Sequence, residues 1–473
     1  MKIDMLFSIM AVQEVVFFTP VARRLREELG LNVAFLTFHE AGDDILKKEN
    51  IPCFSLHKIR RELIKSGKRT IADVSAVEKK LGVSMEHLIF HEMHTSGRNK
   101  EVLQSKVMDY YFILSDIVQK NPIGCVVQEL GGFIAPMTLY YVCREHSVNH
   151  VFIEPAMFRK RVVFTLNSLY ADIPDYGTKE FPPHEELAQL VNEYMTRKTV
   201  VIPKKDRHFF QDMTFKRLFS PDNFSRLSRK LYHKYVLGRE EEYNWILRYA
   251  AMHVVKALRR KVLGFYYTDP AEGDKYVYYP FHVPLDVQLT ARCPEFFDQE
   301  ALVERIAGSL PKGYTLYIKE HPAAVGGHSL VKLRQALKDY DTIRLIHPRH
   351  NSYDIIKNAA CIVTVNSKVG VEAIMQGKPV IVLGRTFYRG KGVTIDAGQE
   401  TDLSHAISDA LNFTPDPEKT GYFLNYAFHW TYRGELYENS DGNVDNFYHS
   451  LQSFLRDSEL VPGHRHLTES VSS

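Results

Sequence analysis

Two apolar runs in the second half of this chain stop at residues able to hold an anion and move a proton. Residues 314–318 lead into Lys319-Glu320-His321-Pro322, and residues 361–365 lead into Asn366-Ser367, with Gly370 and Glu372 just beyond. A helix opening at Ser367 presents unpaired backbone N–H groups and a hydroxyl, an arrangement that favours an anion, most often a phosphate. His321, fixed at a strand end by Pro322, is placed to donate a hydrogen bond to a donor phosphate or to the departing nucleotide. Lys319 adds positive charge. Glu320 is read as orienting His321 or as meeting a base or ribose, and Glu372 as facing ribose hydroxyls from one turn inside the helix. His282 closes a third apolar run, residues 275–281, and joins Pro322, Asn366, Ser367 and Gly370 as a candidate for the donor side.

The first half carries carboxylates in the same setting. Residues 123–127 form an apolar run that ends in Gln128-Glu129-Leu130-Gly131-Gly132. Residues 151–153 end in Glu154-Pro155-Ala156-Met157-Phe158-Arg159. Catalytic groups of open α/β sheets collect at such strand ends. Glu129 is the candidate general base if the reaction inverts configuration, a retaining one giving a carboxylate another role such as nucleophile, and Glu154 is a second candidate carboxylate; the plainer alternative is that each only caps the helix start after it. Gln128, Gly131, Gly132 and Arg159 are read as the acceptor side, the glycines letting a substrate approach the backbone. No D-x-D falls at a strand end, so no metal is expected, and no cofactor beyond a nucleotide-activated sugar as substrate. The charge of the phosphate is left to side chains and the helix dipole.

These groups need two sheets to hold them. Strands at 3–10, 33–38 and 52–56, with a helix at 17–29 closed by Gly30, have the spacing of a parallel, Rossmann-like sheet. Residues 10–14 lack G-x-G-x-x-G, so no dinucleotide site is expected there. Residues 57–120 read as polar and helical, and 133–144 as an apolar helix. A second set of strands at 275–281, 314–318, 343–346, 361–365 and 379–383 alternates with helices at 299–310, 330–337, 353–358, 370–376 and 402–411. The fold class is α/β, with two facing Rossmann-like domains whose strand ends line a cleft. The expected division is an acceptor domain at 1–203, a basic aromatic helical insert at 204–270, a nucleotide-sugar domain at 271–415, and a return segment at 416–462 that packs back on the first domain. Residues 463–473 are expected to be a disordered tail.

Composition is that of an ordinary globular protein, 45% apolar and 25% charged, with a net charge of +3 that gives no reason to expect nucleic acid. Cys53, Cys125, Cys143, Cys293 and Cys361 form no C-x-x-C pair and are read as free thiols. The N-terminal apolar run is interrupted by Asp4, Gln13 and Glu14, so a strand and helix are expected rather than a signal peptide, in a cytoplasmic protein. Between Lys204 and Lys261, basic residues such as Arg226, Arg229, Lys230 and Lys234 interleave with Phe209, Phe210, Phe215, Phe219, Phe224, Tyr232, Tyr235 and Trp245. Two readings stay open: a surface that touches anionic lipid at the membrane's inner face, or a solvated insert whose aromatics face the core. The second is the ordinary expectation.

The set Gln128-Glu129-Leu130-Gly131-Gly132, Lys319-Glu320-His321-Pro322 and Asn366-Ser367 with Gly370-Val371-Glu372-Ala373 resembles the capsule polysaccharide biosynthesis family. That family includes Kdo transferases of capsule export systems, and it is similar, more distantly, to bacterial sialyltransferases of GT-B fold. The resemblance implies a GT-B-like glycosyltransferase using a nucleotide sugar, CMP-activated in the sialyltransferases, and a glycan or glycolipid acceptor. It matches Glu129 to an acidic motif, His321 and Pro322 to a His-Pro motif, and Ser367 to a phosphate-binding hydroxyl. Gln128 stands where that pattern has a first acid. Two other functions fit the same elements: a nucleotide-sugar epimerase, and a non-catalytic glycan- or lipid-binding subunit of a capsule assembly complex.

Overall fold

The computed structural model describes residues 2–67, 73–174, 182–198, 220–239, 241–243 and 245–460. Lys204, Arg207, Phe209, Phe210, Phe215, Lys216, Arg217, Phe219 and the expected disordered tail lie outside the described residues.

The first sheet is built by β1 (Ile3–Ile9), β2 (Val33–Thr37), β3 (Cys53–Ser55), β4 (Ile123–Glu129), β5 (Asn149–Pro155) and β6 (Arg161–Leu166). The second is built by β7 (Tyr267–Thr268), β8 (Tyr276–Pro280), β9 (Thr315–Lys319), β10 (Ile343–Ile346), β11 (Cys361–Thr364), β12 (Val380–Val382) and β13 (Ile395–Asp396). A last strand, β14 (Tyr432–Arg433), returns to the edge of the first sheet. The orders are β14-β6-β5-β4-β1-β2-β3 and β13-β12-β11-β8-β9-β10-β7. Strands β1 to β5 pair in parallel, as do all the strands of the second sheet. Each order reverses once, between β1 and β4 and between β8 and β11, and ligands of open α/β sheets bind at such reversals. The result is a GT-B-like pair of Rossmann-like sheets.

The strands read as continuous apolar runs because helices cover both faces. Every residue of β8 and of β11 is buried. Two apolar cores flank the first sheet and two flank the second. Of the return segment expected over 416–462, the part from Tyr432 onward packs on the first domain, whereas helix Pro417–His429 packs in a core of the second sheet. Helix Asp441–Asp457 lays Phe447 against Phe17 and Phe18, with ring centroids 5.1 and 5.8 Å apart, and Arg24 stacks 3.9 Å over Tyr448.

Three features differ from the sequence reading. The first helix, Val12–Leu29, begins five residues before the expected start at Phe17. Glu14, read as loop, folds back to accept a hydrogen bond from the Met10 backbone N–H at 2.8 Å, a favourable place for negative charge in a first turn. Strand β6 had no expectation attached; it pairs antiparallel to β5. Helix Pro221–Leu231 and the turn Tyr232–Val236 contain no buried residue, so their aromatics do not face a core. Trp245 does pack inward, its ring 6.0 Å from that of Phe133.

A buried ionic network braces the helices behind the first sheet. Lys106 Nζ donates to Glu92 Oε1 at 2.5 Å and lies 2.7 Å from Glu242 Oε1; its side chain and that of Glu92 are 1% and 0% exposed. The other oxygen of Glu92 accepts the Ile134 N–H at 3.3 Å, capping the helix that follows Gly131-Gly132. Removing the cation leaves the buried Glu92 without a cation and Glu242 with Arg60 alone, 3.6 Å away. Lys106→Met is therefore expected to cost about 3–5 kcal/mol, read as a shift of the urea midpoint.

Candidate active site

The second sheet presents three neighbouring strand ends. β8 leads to His282, β9 ends in Lys319 and leads to His321, and β11 leads to Asn366 and Ser367; β8 lies between the other two. Asn366 Nδ2 donates to the Gln288 carbonyl at 2.9 Å, which turns its oxygen toward His282. His282 Nε2 lies 3.0 Å from that oxygen, so this nitrogen carries the ring proton. Among the described residues, no partner meets the buried His282 Nδ1. Burial lowers the His282 pKa to about 4. The ring is a neutral imidazole at physiological pH.

His321 caps the short turn Pro322–Ala324, its Nδ1 accepting the Ala323 N–H at 3.2 Å. That bond puts the His321 proton on Nε2 as a donor. Burial also lowers its pKa, with Asp286 opposing the shift. Ser367 caps helix Lys368–Met375 by accepting the Val369 N–H at 3.2 Å, as expected of a helix start. One turn on, Glu372 is 8% exposed, and among the described residues nothing bonds its Oε2. Burial pushes its carboxyl up to about 7, against the opposing charges of Lys368 and Lys319.

Other expected donor residues have work within the fold. Lys319 Nζ donates to the His350 carbonyl at 2.7 Å and to Ser352 Oγ at 2.8 Å, so it holds the loop before helix Ser352–Asn358 and acts on the site through its charge on Glu372. Burial lowers the Lys319 pKa to about 8. Glu320 neither orients His321 nor opens to a ribose. It is fully buried; Tyr267 Oη donates to one oxygen at 2.6 Å and the Gly326 N–H to the other at 2.9 Å. Gly370 is small because a Cβ there would collide with the Tyr388 hydroxyl, which itself donates to the Ser367 carbonyl at 2.8 Å. Pro322 opens the turn that His321 caps.

On the first sheet, Gln128 and Glu129 are the last residues of β4, beside the order reversal. Gln128 is buried and donates to the Pro136 carbonyl at 3.3 Å. Gly131 has ordinary space around it, but a Cβ at Gly132 would come within 2.7 Å of the His91 ring, so this glycine admits a histidine rather than a substrate. Glu154 is the clearest correction. It is neither a free catalytic carboxylate nor a helix cap: Arg292 of the second domain donates to its Oε1, and Gln288 Nε2 approaches Oε2 at 3.5 Å. A carboxylate paired with a buried guanidinium is spent on holding the domains together. Arg159 is drawn to the surface by Glu193 at 2.9 Å.

Further bonds close the cleft. Lys368 Nζ donates to the Ala156 carbonyl at 3.1 Å, and His91 Nδ1 lies 2.8 Å from Thr290 Oγ1. Burial lowers the His91 pKa to about 4. Asp286 is the negative charge that opposes the lowering at His91, His282 and His321 alike. Sequence reasoning passed over Asp286, although it ends the turn after His282. It also missed His91 and Tyr437, for which no motif gives a signal. Tyr437, from the return segment, donates its hydroxyl to Glu129 Oε2.

The raised carboxyl of Glu372 has a measurable consequence. Its folded pKa of about 7 stands above the ordinary 4.5, so between those values the folded chain keeps a proton that the unfolded chain has lost. The stability this group contributes is present below about 4.5 and is lost as pH rises through 7. Glu372→Gln is expected to remove this slope. From pH 5 to 7.5 the wild type should lose up to on the order of 3 kcal/mol relative to the variant, measured by denaturant unfolding at each pH.

Comparison with known proteins places the chain. It is 30% identical over 166 residues to Protein FixF of Sinorhizobium fredii, covering 33% of this chain and 37% of that protein. It is 33% identical over 89 residues to the capsule polysaccharide export protein KpsS of Escherichia coli, covering 18% and 22%. The matches thus span 37% and 22% of the length of these curated relatives. Among solved structures, the beta Kdo 2,7 transferase KpsC of Thermosulfurimonas dismutans aligns with TM-score 0.35 at 18% identity, over 74% of this chain and 95% of that one. The S. aureus MnaA–UDP complex aligns with TM-score 0.30 at 13% identity, over 98% of each. Residues 186–433, just over half of the sequence, match the family described as Capsule polysaccharide biosynthesis protein, and the chain belongs to that family.

Proposed function

We propose that this protein is a metal-independent glycosyltransferase of surface polysaccharide synthesis, moving a sugar from a nucleotide donor on the second domain to a glycan or glycolipid on the first. The observation that carries this is the group of strand ends at the β8–β11 reversal: a donor N–H on His321, a helix start at Ser367, and a buried carboxylate at Glu372 with an unbonded oxygen. A ribose hydroxyl meets the need of Glu372, and a phosphate that of the helix start. A CMP-activated sugar is the first donor to try, on the family resemblance.

Glu129 is the base in this reading. It takes the proton of the acceptor hydroxyl as that oxygen bonds the anomeric carbon. The bond from that carbon to the phosphate oxygen breaks, and the electron pair leaves with the nucleotide, where His321 Nε2–H and the helix start meet the charge. Tyr437 positions the base by donating to its other oxygen.

A thermal-shift screen of nucleotide sugars identifies the donor, since a ligand of the folded state raises the melting temperature. With that donor, His321→Ala and Ser367→Ala are each expected to weaken binding roughly tenfold to a hundredfold by calorimetry while the fold survives, the loss of a hydrogen bond to a charged group. Unchanged affinity in both would remove the donor assignment.

Glu129→Gln should leave donor affinity near the wild-type value and lower transfer about 10²–10⁴-fold. Near-full transfer by that variant moves the base elsewhere. Turnover of the donor without any acceptor would favour an epimerase instead.

A further inference from the structure

We propose that residues 221–237 form a docking surface for an anionic lipid bilayer. Helix Pro221–Leu231 is well made in isolation: Ser220 Oγ accepts the Asn223 N–H at 3.3 Å, Pro221 opens the first turn, and Asp222 lies in it. Its apolar side is only partly used in the described fold: Leu227 and Leu231 are half-buried beside helix Ile246–Leu263, while neither the helix nor the turn Tyr232–Val236 has a fully buried residue. Phe224, Leu227, Leu231 and Tyr235 recur at helical spacing and make one stripe. Phe224 and Tyr235 are 71% and 65% exposed. Arg226, Arg229, Lys230 and Lys234 occupy the remaining faces, and Asp222 is the sole acid between 220 and 239.

The neighbouring helix Ile246–Leu263 extends the patch through Leu247, Leu258 and, just past its end, Phe265. Ten of the seventeen large apolar side chains exposed among the described residues fall between 224 and 265, so the apolar surface is concentrated here rather than scattered. An apolar stripe with aromatics, flanked by cations, suits the boundary between acyl chains and acidic headgroups. A second copy of the chain is disfavoured, because it would bring like charges face to face. Among the described residues no helix is long and apolar enough to cross a membrane, so the contact is one of lying on the surface.

The surface is fixed relative to the cleft. From helix Ile246–Leu263, Arg248 Nε donates to the Thr95 carbonyl at 2.5 Å in the first domain, and Arg259 Nη1 to the His328 carbonyl at 3.0 Å in the second. The lipid surface thereby becomes the place from which a lipid-linked acceptor reaches the strand ends. This last point rests on the transferase reading; the docking itself does not.

Flotation of the full chain with phosphatidylcholine vesicles, with and without phosphatidylglycerol, tests the proposal at moderate salt. Wild type is expected to float with the anionic vesicles only. Arg226→Glu/Arg229→Glu/Lys230→Glu should lose about a hundredfold or more in partitioning, and Phe224→Ser/Leu231→Ser should lose at least roughly tenfold. Both variants should keep the wild-type melting temperature and donor binding, which separates loss of docking from misfolding. Absence of wild-type binding, or equal binding by both variants, overturns the proposal. So does wild-type self-association in sedimentation that the same substitutions abolish. Lipid binding by a protein that transfers no sugar would refute the transferase reading and leave the docking surface standing.

Discussion

The hydrogen bond from His282 Nε2 to Asn366 Oδ1 joins the ends of β8 and β11 at the one place where the strand order of the second sheet reverses. Much of the cleft hangs from it. Asn366 also takes the Gln288 carbonyl, which fixes the turn from Asp286 to Arg292. Gln299 holds the His282 backbone from the other side, accepting its N–H at 2.7 Å. The turn so fixed carries Thr290 to His91 and Arg292 to Glu154, so a continuous set of bonds runs from one sheet's reversal to the other domain. Relative placement of the domains is thus decided by buried polar pairs, whose strict geometry makes them specific even where they contribute little net stability.

Buried charge is handled in two ways. Around Lys106 each oxygen of Glu92 is met, by the ammonium and by the Ile134 N–H, and the network behaves as a brace. Around Glu372 the carboxyl is also buried, at 8% exposure, but keeps an unbonded oxygen among the described residues, with Lys319 bound elsewhere. Leaving a buried hydrogen-bonding oxygen without a partner costs free energy, and Glu372 carries that cost as a protonated carboxyl over part of the pH range.

The return segment does more than cover a sheet edge. It brings Tyr437 onto Glu129 through a non-glycine residue held at φ 65°, a backbone conformation that surrounding structure must enforce. Asn443 enforces it, its amide bonding the carbonyls of Glu435 and Glu438 at 2.8 and 2.7 Å. The strand end that carries Glu129 is completed by a residue 308 positions away in sequence.

The amino-acid sequence by itself determined the two parallel sheets and the helix start at Ser367. Strands buried on both faces must be apolar throughout, and the polar residues that follow them mark one edge of each sheet. Those signals are local, so they are legible without coordinates. Tertiary structure decided which polar residues remain available. Glu154 and Glu129 look alike as carboxylates after apolar runs, but Arg292 reaches one and Tyr437 the other. Gly132 looks like an opening for a substrate, but the His91 side chain fills the space. The aromatics of the basic segment look like core, but among the described residues the helix that carries Phe224 buries no side chain fully. In each case the deciding partner is distant in the chain, and no spacing rule encodes a contact of that kind.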